Sequence, residues 1–461
     1  MILDKDNLKL SVIIPCYNEF NTLESIIESV RNCGIKNTEI IIVDDFSTDG
    51  TRELLQSELG SKVERVLYHK KNMGKGAALR NGFQAATGDL VVVQDADSEY
   101  DPKDYNILIE PFTTGRVTFI GDDEAVCRAN IGLRTAERIL IKIGNFKAET
   151  FEELYQGTKA IEWEEWIPSD GKFWVAKAAS VKSALFSPSD IQSIMKKAMV
   201  DRMSGIYGIK TFPETGKSFP LRVFIHKDEV TIGLDTTGDS LHKRGYRKLT
   251  AKAPIAENLA SAIIMLSPWN KNRILVDPFC GSGTFPIEAA MMAANMAPGM
   301  NRHFTAETWE HIVGKNVWKD AFDEAREMVD LSVECDIQGY DLDNDMVSIA
   351  RANAKLAGVD GMIHFQKRDV KDLSHPKKYG FIITNPPYGE RLSSKEEMGE
   401  LYTLIGERYR ALDNWSMYMI TAFDMAEKYI GRKADKNRKI YNGMMKTYLY
   451  QYMGGKPPKR D

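Results

Sequence analysis

Five cysteines in 461 residues, Cys16, Cys33, Cys127, Cys280 and Cys335, form no CxxC pair and sit at no His-linked metal spacing. This argues against a disulfide frame and predicts reduced thiols in a cytoplasmic protein. No apolar run approaches the roughly 18 residues that a membrane span needs. The opening MILDKDNLKLSVIIPC has too short an apolar stretch, and too acidic a flank, for a signal peptide. A soluble protein with no membrane partner is expected. Heptads and internal repeats are missing as well, so periodicity leaves the oligomeric state open. What is present is ordinary globular composition, 43% apolar and 27% charged, over a length that predicts roughly two to four domains.

The net charge of -4 is unevenly spread. Residues 1–112 hold 12 Lys and Arg against 19 Asp and Glu, whereas the remainder holds 49 against 46. LHKRGYRKLTAK, Leu241–Lys252, and the terminal RKADKNRKIYNGMMKTYLYQYMGGKPPKR are basic. Such clusters are either a solvated charged face or the footprint of a phosphate-backbone binder.

In the acidic head, KLSVIIPC, EIIIVDD and DLVVVQDAD are β-branched runs alternating with helical patterns, which predicts a parallel α/β sheet with ligands at the carboxyl ends of its strands. Asn18, Glu19, Asp44, Asp45, Asp95 and Asp97 fall at those ends. The last two are spaced to reach one divalent cation under a diphosphate. IIPCYNE, VDDFSTDGT, NMGKGAALRNG and DADSEYDP, in this order, resemble the family 2 glycosyltransferases, in particular the polyprenyl-phosphate sugar transferases. The resemblance implies a nucleotide-sugar site at Pro15, Tyr17, Glu19, Asp45 and Asp95, with Asp45 facing the base. It also implies Mg²⁺ or Mn²⁺ on Asp95 and Asp97. It stops near Phe112, where the family's domain continues with its acceptor site and catalytic base.

Further on, NRILVDPFCGSGTFPIEAAMMA reads as strand, Gly-rich turn and helix, with Gly281 and Gly283 allowing close backbone approach to a ligand. IQGYDLDNDMVSIARANAKLAG and IHFQKRDVKDL supply two more strands tipped by acids, Asp341 and Asp369. YGFIITNPPYGERL places Asn385, Pro386, Pro387 and Tyr388 after a buried strand. An Asn oxygen beside a proline carbonyl offers two acceptors for one NH₂ group, and Tyr388 can stack on a flat base. This block resembles the class I S-adenosylmethionine-dependent methyltransferases. With DTTGDSLHKRGYRKLTAKAPIAENLA, NMAPGMNR and RKIYNGMMKTYLYQY it is similar to the THUMP-domain guanine-N2 RNA methyltransferases of the 23S rRNA type. The resemblance implies that Asp277, Pro278, Gly281, Gly283 and Thr284 hold the methionine end of the cofactor. Asp341 would bind its ribose, Asp369 its adenine, and Asn385–Tyr388 the target base. PIAENLA departs from the family at Ala256 and Asn258.

Between the two blocks, AVCRANIGLRTAERILIKIG reads as an amphipathic helix carrying Arg128, Arg134 and Arg138. LRVFIHKDEVTIGLDTTG reads as two strands around a tight turn. Lys177, Lys182, Lys196 and Lys197, with Lys243, Arg244 and Arg247, are candidate RNA contacts, and by position this stretch resembles a THUMP domain. The expected partner is 23S rRNA or a ribosome assembly intermediate, with tRNA as the lesser alternative. The ferredoxin-like piece that usually precedes THUMP lacks its opening strand and helix.

The expected architecture is α/β. It comprises the N-terminal half of a GT-A-like domain (1–112), a partial ferredoxin-like plus THUMP α+β region (113–240), and a Rossmann-like class I methyltransferase domain (241–461). Either the head replaces the lost strand or it is a passenger of a gene fusion; the passenger reading is the expectation. A DNA adenine methyltransferase, for the C-terminal block, and a nucleotide-sugar transferase, for the head, are the alternatives.

Overall fold

The computed structural model describes residues 8–97, 101–106, 108, 115–247, 254–388, 395–443 and 445–457. Two compact units divide the chain, Met1–Ile120 and Gly121–Asp461.

The first unit is a four-stranded parallel sheet of β1 (Leu10–Cys16), β2 (Thr38–Asp44), β3 (Arg65–Tyr68) and β4 (Leu90–Val93), in the order β3-β2-β1-β4. Helices α1 (Leu23–Arg31), α2 (Thr51–Ser57) and α3 (Lys75–Ala85) connect the strands. β1 and β2 are buried almost throughout, as strands covered on both faces must be. The short edge strand β3 has only the three apolar residues Val66–Tyr68 between charged neighbours and is not evident in the sequence. Pro15 sits inside a central strand without a lost ladder bond. The β1–β4 pairing ends at Ile13–Val93, and Pro15 lies beyond it on that side.

The second unit begins with α4 (Asp123–Gly132), capped by the Asp122 side chain. The helix expected across AVCRANIGLRTAERILIKIG ends at Gly132, and Leu140–Lys147 is strand β5. The β-branched alternation of ILIKIG overrides the helical spacing of the arginines. Next come α5 (Phe151–Lys159), opened by a Thr150–Glu153 capping box, β6 (Lys172–Val181), and α6 (Pro188–Tyr207) with Pro188 in its first turn. β7 (Ser218–His226) and β8 (Glu229–Asp235) form the expected hairpin, with Lys227 and Asp228 both at positive φ. The four strands run in the order β5-β8-β7-β6.

The remaining elements are α7 (Glu257–Leu266), β9 (Leu275–Asp277), α8 (Thr284–Ala293), α9 (Lys315–Glu327), β10 (Ile337–Asp341), α10 (Asn344–Ala357), β11 (Ile363–Lys367), β12 (Phe381–Thr384), α11 (Lys395–Arg410), β13 (Ser416–Thr421), α12 (Ala426–Ile430), β14 (Lys436–Asn442) and β15 (Met445–Tyr452). Their seven-stranded sheet, β11-β10-β9-β12-β13-β15-β14, is parallel except where β15 meets its two neighbours.

The boundary expected at 240/241 is not a packing boundary. Phe304, Trp309 and Trp318, from the connection between α8 and β10, belong to one apolar core with Phe219, Met195, Met199 and Met203. Trp309 stacks on Phe219 with centroids 5.2 Å apart, and its Nε1 donates to the Ser218 carbonyl at 3.0 Å. Arg128 of α4 pairs with Glu324 of α9 at 2.8 Å. The region expected to bind RNA and the connection between α8 and β10 therefore share one core.

Because each unit owns a core, a chain cut after Ile120 is expected to leave residues 121–461 folded. Calorimetry of the intact chain should show two unfolding transitions, of which only one survives the cut. Loss of solubility on truncation would mean that the head supports the rest.

Candidate active site

The site gathers where the carboxyl ends of neighbouring strands meet. β9 pairs with β12 and with β10, so the turns after Asp277, Thr384 and Asp341 lie side by side. Thr384 Oγ1 donates to Asp277 Oδ1 at 2.7 Å, and the Phe279 amide reaches the same oxygen at 3.1 Å. Asp277 is 2% exposed, and burial pushes its carboxyl up to about 7, with the Thr384 and Phe279 hydrogen bonds opposing the shift.

The Gly-rich turn contains two glycines with different tasks. Both hold left-handed backbone, Gly281 at φ 50° and Gly283 at φ 88°. A Cβ on Gly283 would stand 3.1 Å from Ala350 Cβ and from Phe365 Cζ, so that glycine permits close packing. A Cβ on Gly281 would meet nothing within 4 Å, which leaves open space above the turn. The Gly281 amide donates to Asp341 Oδ2 at 2.9 Å, tying the turn to the end of β10. Asp341 Oδ1 accepts from the Asp343 amide at 3.0 Å. Asp369 caps a short turn through the Lys371 amide at 3.0 Å and keeps its side chain 29% exposed. Pro278 begins the turn, and Thr284, nearly buried, opens α8.

Phe381–Thr384 are all buried, as expected, and Asn385 follows half-buried with Pro386 buried beside it. Asn385 Oδ1 is buried without a hydrogen-bond partner among the described residues. Pro387 and Tyr388 are half-buried at the mouth, while the rest of the motif, residues 389–394, lies outside the described residues.

Two expected RNA contacts are corrected. Arg244 is 2% exposed. It donates to the Leu241 carbonyl at 2.7 Å and to the Arg134 carbonyl, and lies 3.6 Å from Glu288. Arg247 is turned inward too, bonding Thr284 Oγ1 at 2.7 Å and pairing with buried Glu257 at 3.3 Å. Both guanidiniums are committed to buried acids in the core beside α8. Lys196 also has internal partners, with its ammonium on Glu214 at 2.6 Å and over the Phe173 ring at 3.5 Å. Lys177, Lys182 and Lys197 are exposed, and Lys243 pairs with Asp239 at the surface. Residues 248–253 of the basic stretch lie outside the described residues.

The buried hub around Glu288 is not evident in the sequence. Tyr246 Oη donates to Glu288 Oε1 at 3.0 Å and Ser261 Oγ to Oε2 at 2.5 Å. An arginine in a basic run followed by a lone acid in an apolar helix carries no local sign of pairing. At the altered PIAENLA, Asn258 reaches Glu137 at 3.0 Å.

In the first unit, Asp45 does not present a free carboxylate to a base. It is 3% exposed and accepts from Met73 N at 2.8 Å, Gly74 N at 2.6 Å and His69 Nδ1 at 2.6 Å. Its role in the fold is to shape the 72–74 loop. Asp95 pairs with Lys75 at 2.7 Å, and among the described residues no three His, Cys, Asp or Glu side chains are placed to hold a metal ion. Tyr17 is 46% exposed, and Glu19 accepts from Thr22 Oγ1 at 2.9 Å.

Two outcomes test the buried charges. The folded carboxyl of Asp277 titrates above its ordinary value of 3.8, so its contribution to stability is full below that value and is lost as pH rises through about 7. Asp277→Asn should flatten that fall in denaturant titrations between these limits. Arg244→Ala leaves Glu288 without its cation and should cost about 3–5 kcal/mol in the same measurement.

Comparison with known proteins places this geometry. Residues 244–451 match the family described as "RMKL-like, methyltransferase domain", residues 148–235 the THUMP domain, and residues 11–161 glycosyl transferase family 2. The chain is 45% identical over 348 residues to "Putative RNA methyltransferase YpsC" of Bacillus subtilis (strain 168), covering 75% of this chain and 90% of that protein. It is 34% identical over 354 residues to ribosomal RNA large subunit methyltransferase K/L of Syntrophotalea carbinolica. That match covers 74% of this chain and only 49% of the relative, so the chain spans about half of that protein. The crystal structure of "SMU.472, a putative methyltransferase complexed with SAH" superposes with a TM-score of 0.68 at 43% identity, over 73% of this chain and 89% of the other. The chain belongs to the RMKL-like methyltransferase family, with a Rossmann-like catalytic sheet, a THUMP region before it and a family 2 glycosyl transferase segment at its head.

Proposed function

We propose that this protein transfers the methyl group of S-adenosylmethionine to the exocyclic amine of guanine in RNA, giving N2-methylguanine, with 23S ribosomal RNA as the substrate. The observation that carries the reading is the orphaned Asn385 Oδ1. A buried acceptor left unpaired costs about 1–3 kcal/mol, and an NH₂ group entering between it and the Pro386 carbonyl would remove that penalty. Half-buried Tyr388 offers a ring for the flipped base. The THUMP match and the rRNA relative support RNA over duplex DNA, although the same acceptor pair suits adenine.

The residues fit the cofactor. Gly281 leaves space above the turn. Asp341 and Asp369 stand at the ends of adjacent strands, each with acceptor capacity beyond its one or two amide donors. They would hold the ribose and the adenine, while the turn from Asp277 to Thr284 would hold the methionine end. When bound, S-adenosylmethionine supplies an electrophilic methyl group. The protein's own part is positioning. Hydrogen bonds to Asn385 and the Pro386 carbonyl favour a pyramidal amine whose lone pair is free of the ring, held in line for attack. The displaced proton leaves to water, and no side chain is assigned as general base.

Asn385→Ala should lower methyl transfer about 10²–10³-fold, with cofactor affinity within a few-fold of wild type by calorimetry. Labelled methyl groups should appear in N2-methylguanosine after nuclease digestion of unmodified ribosomal RNA. Label in N6-methyladenine of duplex DNA would overturn the assignment.

A further inference from the structure

The seven-stranded sheet ends in a hairpin that outruns the strands beside it. β13 stops at Thr421, which is paired with Tyr448. β14 and β15 continue past that level, pairing Ile440 with Thr447, Tyr441 with Lys446 and Asn442 with Met445. These further pairs carry the hairpin about 10 Å beyond the end of β13. β12 lies next to β13 and runs parallel to it, so the tip rises from the same edge of the sheet as Asn385.

Composition sets this hairpin apart. From Lys436 to Met453 there is no Asp or Glu, against the cations Lys436, Arg438, Lys439 and Lys446. None of these cations has a carboxylate partner among the described residues, and Asp435, just before β14, is paired with Arg432 at 2.8 Å. Side chains alternate along a strand and cross-strand partners share a face. Lys439, Tyr441, Lys446 and Tyr448 therefore stand together on one side. Tyr441 is 54% exposed and Lys446 is exposed. The Lys439 ammonium lies 5.2 Å from the Tyr441 ring centroid, and the Lys446 ammonium 5.2 Å from that of Tyr448. An exposed cation–ring contact is worth about 2–5-fold and a base stacked on a ring about 5–150-fold, so these contacts do not keep Tyr441 from a base.

The same side leads to Asn385 and its prolines. Tyr402 Oη and Thr421 Oγ1 share a hydrogen bond of 2.5 Å, and Thr421 is the cross-strand partner of Tyr448. Burial pushes the Tyr402 phenol up, and the nearby Tyr388 hydroxyl adds to the shift. Tyr388, Tyr402, Thr421, Tyr448 and Tyr441 thus form a line from the half-buried mouth to the exposed tip.

A base turned out of its stack leaves the faces of its neighbours uncovered, and an inserted side chain can cover them. The phosphates on either side of the gap need countercharge as well. An exposed ring between two lysines, on an element without acids, offers both.

We propose that the β14–β15 tip positions the nucleotides flanking the target guanine, with Tyr441 stacking on the base that flipping uncovers and Lys439 and Lys446 on the adjoining phosphates. The assignment rests on the guanine-amine reading above and adds to it the element that keeps the base out.

The test is steady-state methyl transfer by the full chain to unmodified ribosomal RNA, with RNA retention on filters measured alongside. Tyr441→Ala should lower kcat/KM for RNA about 5–150-fold, as loss of one stacked base does, and Tyr441→Phe should restore most of it. Affinity for S-adenosylhomocysteine, by calorimetry, should stay at the wild-type value in both. Lys446→Ala should lower the slope of log RNA affinity against log salt by about 0.7. Wild-type turnover in both Tyr441→Ala and the charge reversal Lys446→Glu overturns the proposal. So does an equal loss in Tyr441→Phe, which would give the role to the hydroxyl, or displacement of RNA by poly-glutamate at matched charge, which would mark a dock for acidic protein. If the wild-type chain makes N2-methylguanine and the variants match it, only the role of the tip falls. If the wild-type chain methylates no RNA, the methyltransferase reading falls, and filter retention of wild type against Lys446→Glu still decides whether the tip holds RNA.

Discussion

A methyl transfer site has to bring two independent binding surfaces within bond-forming reach, and here the Thr384–Asp277 hydrogen bond holds them at a common edge. Thr384 ends the strand that leads into Asn385 and its two prolines, and Asp277 ends the strand that carries the Gly-rich turn. The bond is buried in a medium that strengthens it and would penalise its loss. The Gly281 amide on Asp341 extends the same logic to the third strand. The three turns are therefore fastened to one another by groups at strand ends, before any ligand arrives.

Behind this edge lies a second set of polar contacts, around Glu288 and Glu257. Both acids are buried, and each faces an arginine from the basic stretch Leu241–Lys252. Burial pushes the Glu257 carboxyl up, and Arg247 opposes the shift. Because Arg247 also donates to Thr284, the first residue of α8, the arrangement links the entry of the methyltransferase fold to that helix.

Legibility in the sequence follows the range of the interaction. The parallel head, the β7–β8 hairpin, the Gly-rich turn and the buried strand before Asn385 rest on local chemistry, namely glycine dihedrals, prolines and β-branched runs, and each is readable from a few consecutive residues. Arg244 and Arg247 were unreadable because their surroundings are built by Glu288, Ser261 and Glu257, distant in sequence. A basic run in isolation reads as surface. Asp45 shows the same limit, since the loop that occupies it is more than 25 residues away. The edge strand β3 and the end of α4 at Gly132 were missed because propensity there gives way to tertiary pairing.

The stacking of Trp309 on Phe219 bears on how such a protein can be inherited or rebuilt. A motif search cuts the chain at residue 240, between the sequences that name an RNA-binding module and a catalytic one. A crossover at that point would separate Phe219 and the α6 methionines from Phe304, Trp309 and Trp318, leaving an opened core on both products. Exchange of the RNA-presenting part for another must therefore carry the connection around residues 304–318 with it. Exchange of residues 121–240 is therefore a discontinuous graft, whereas the head, with a core of its own, is one continuous stretch.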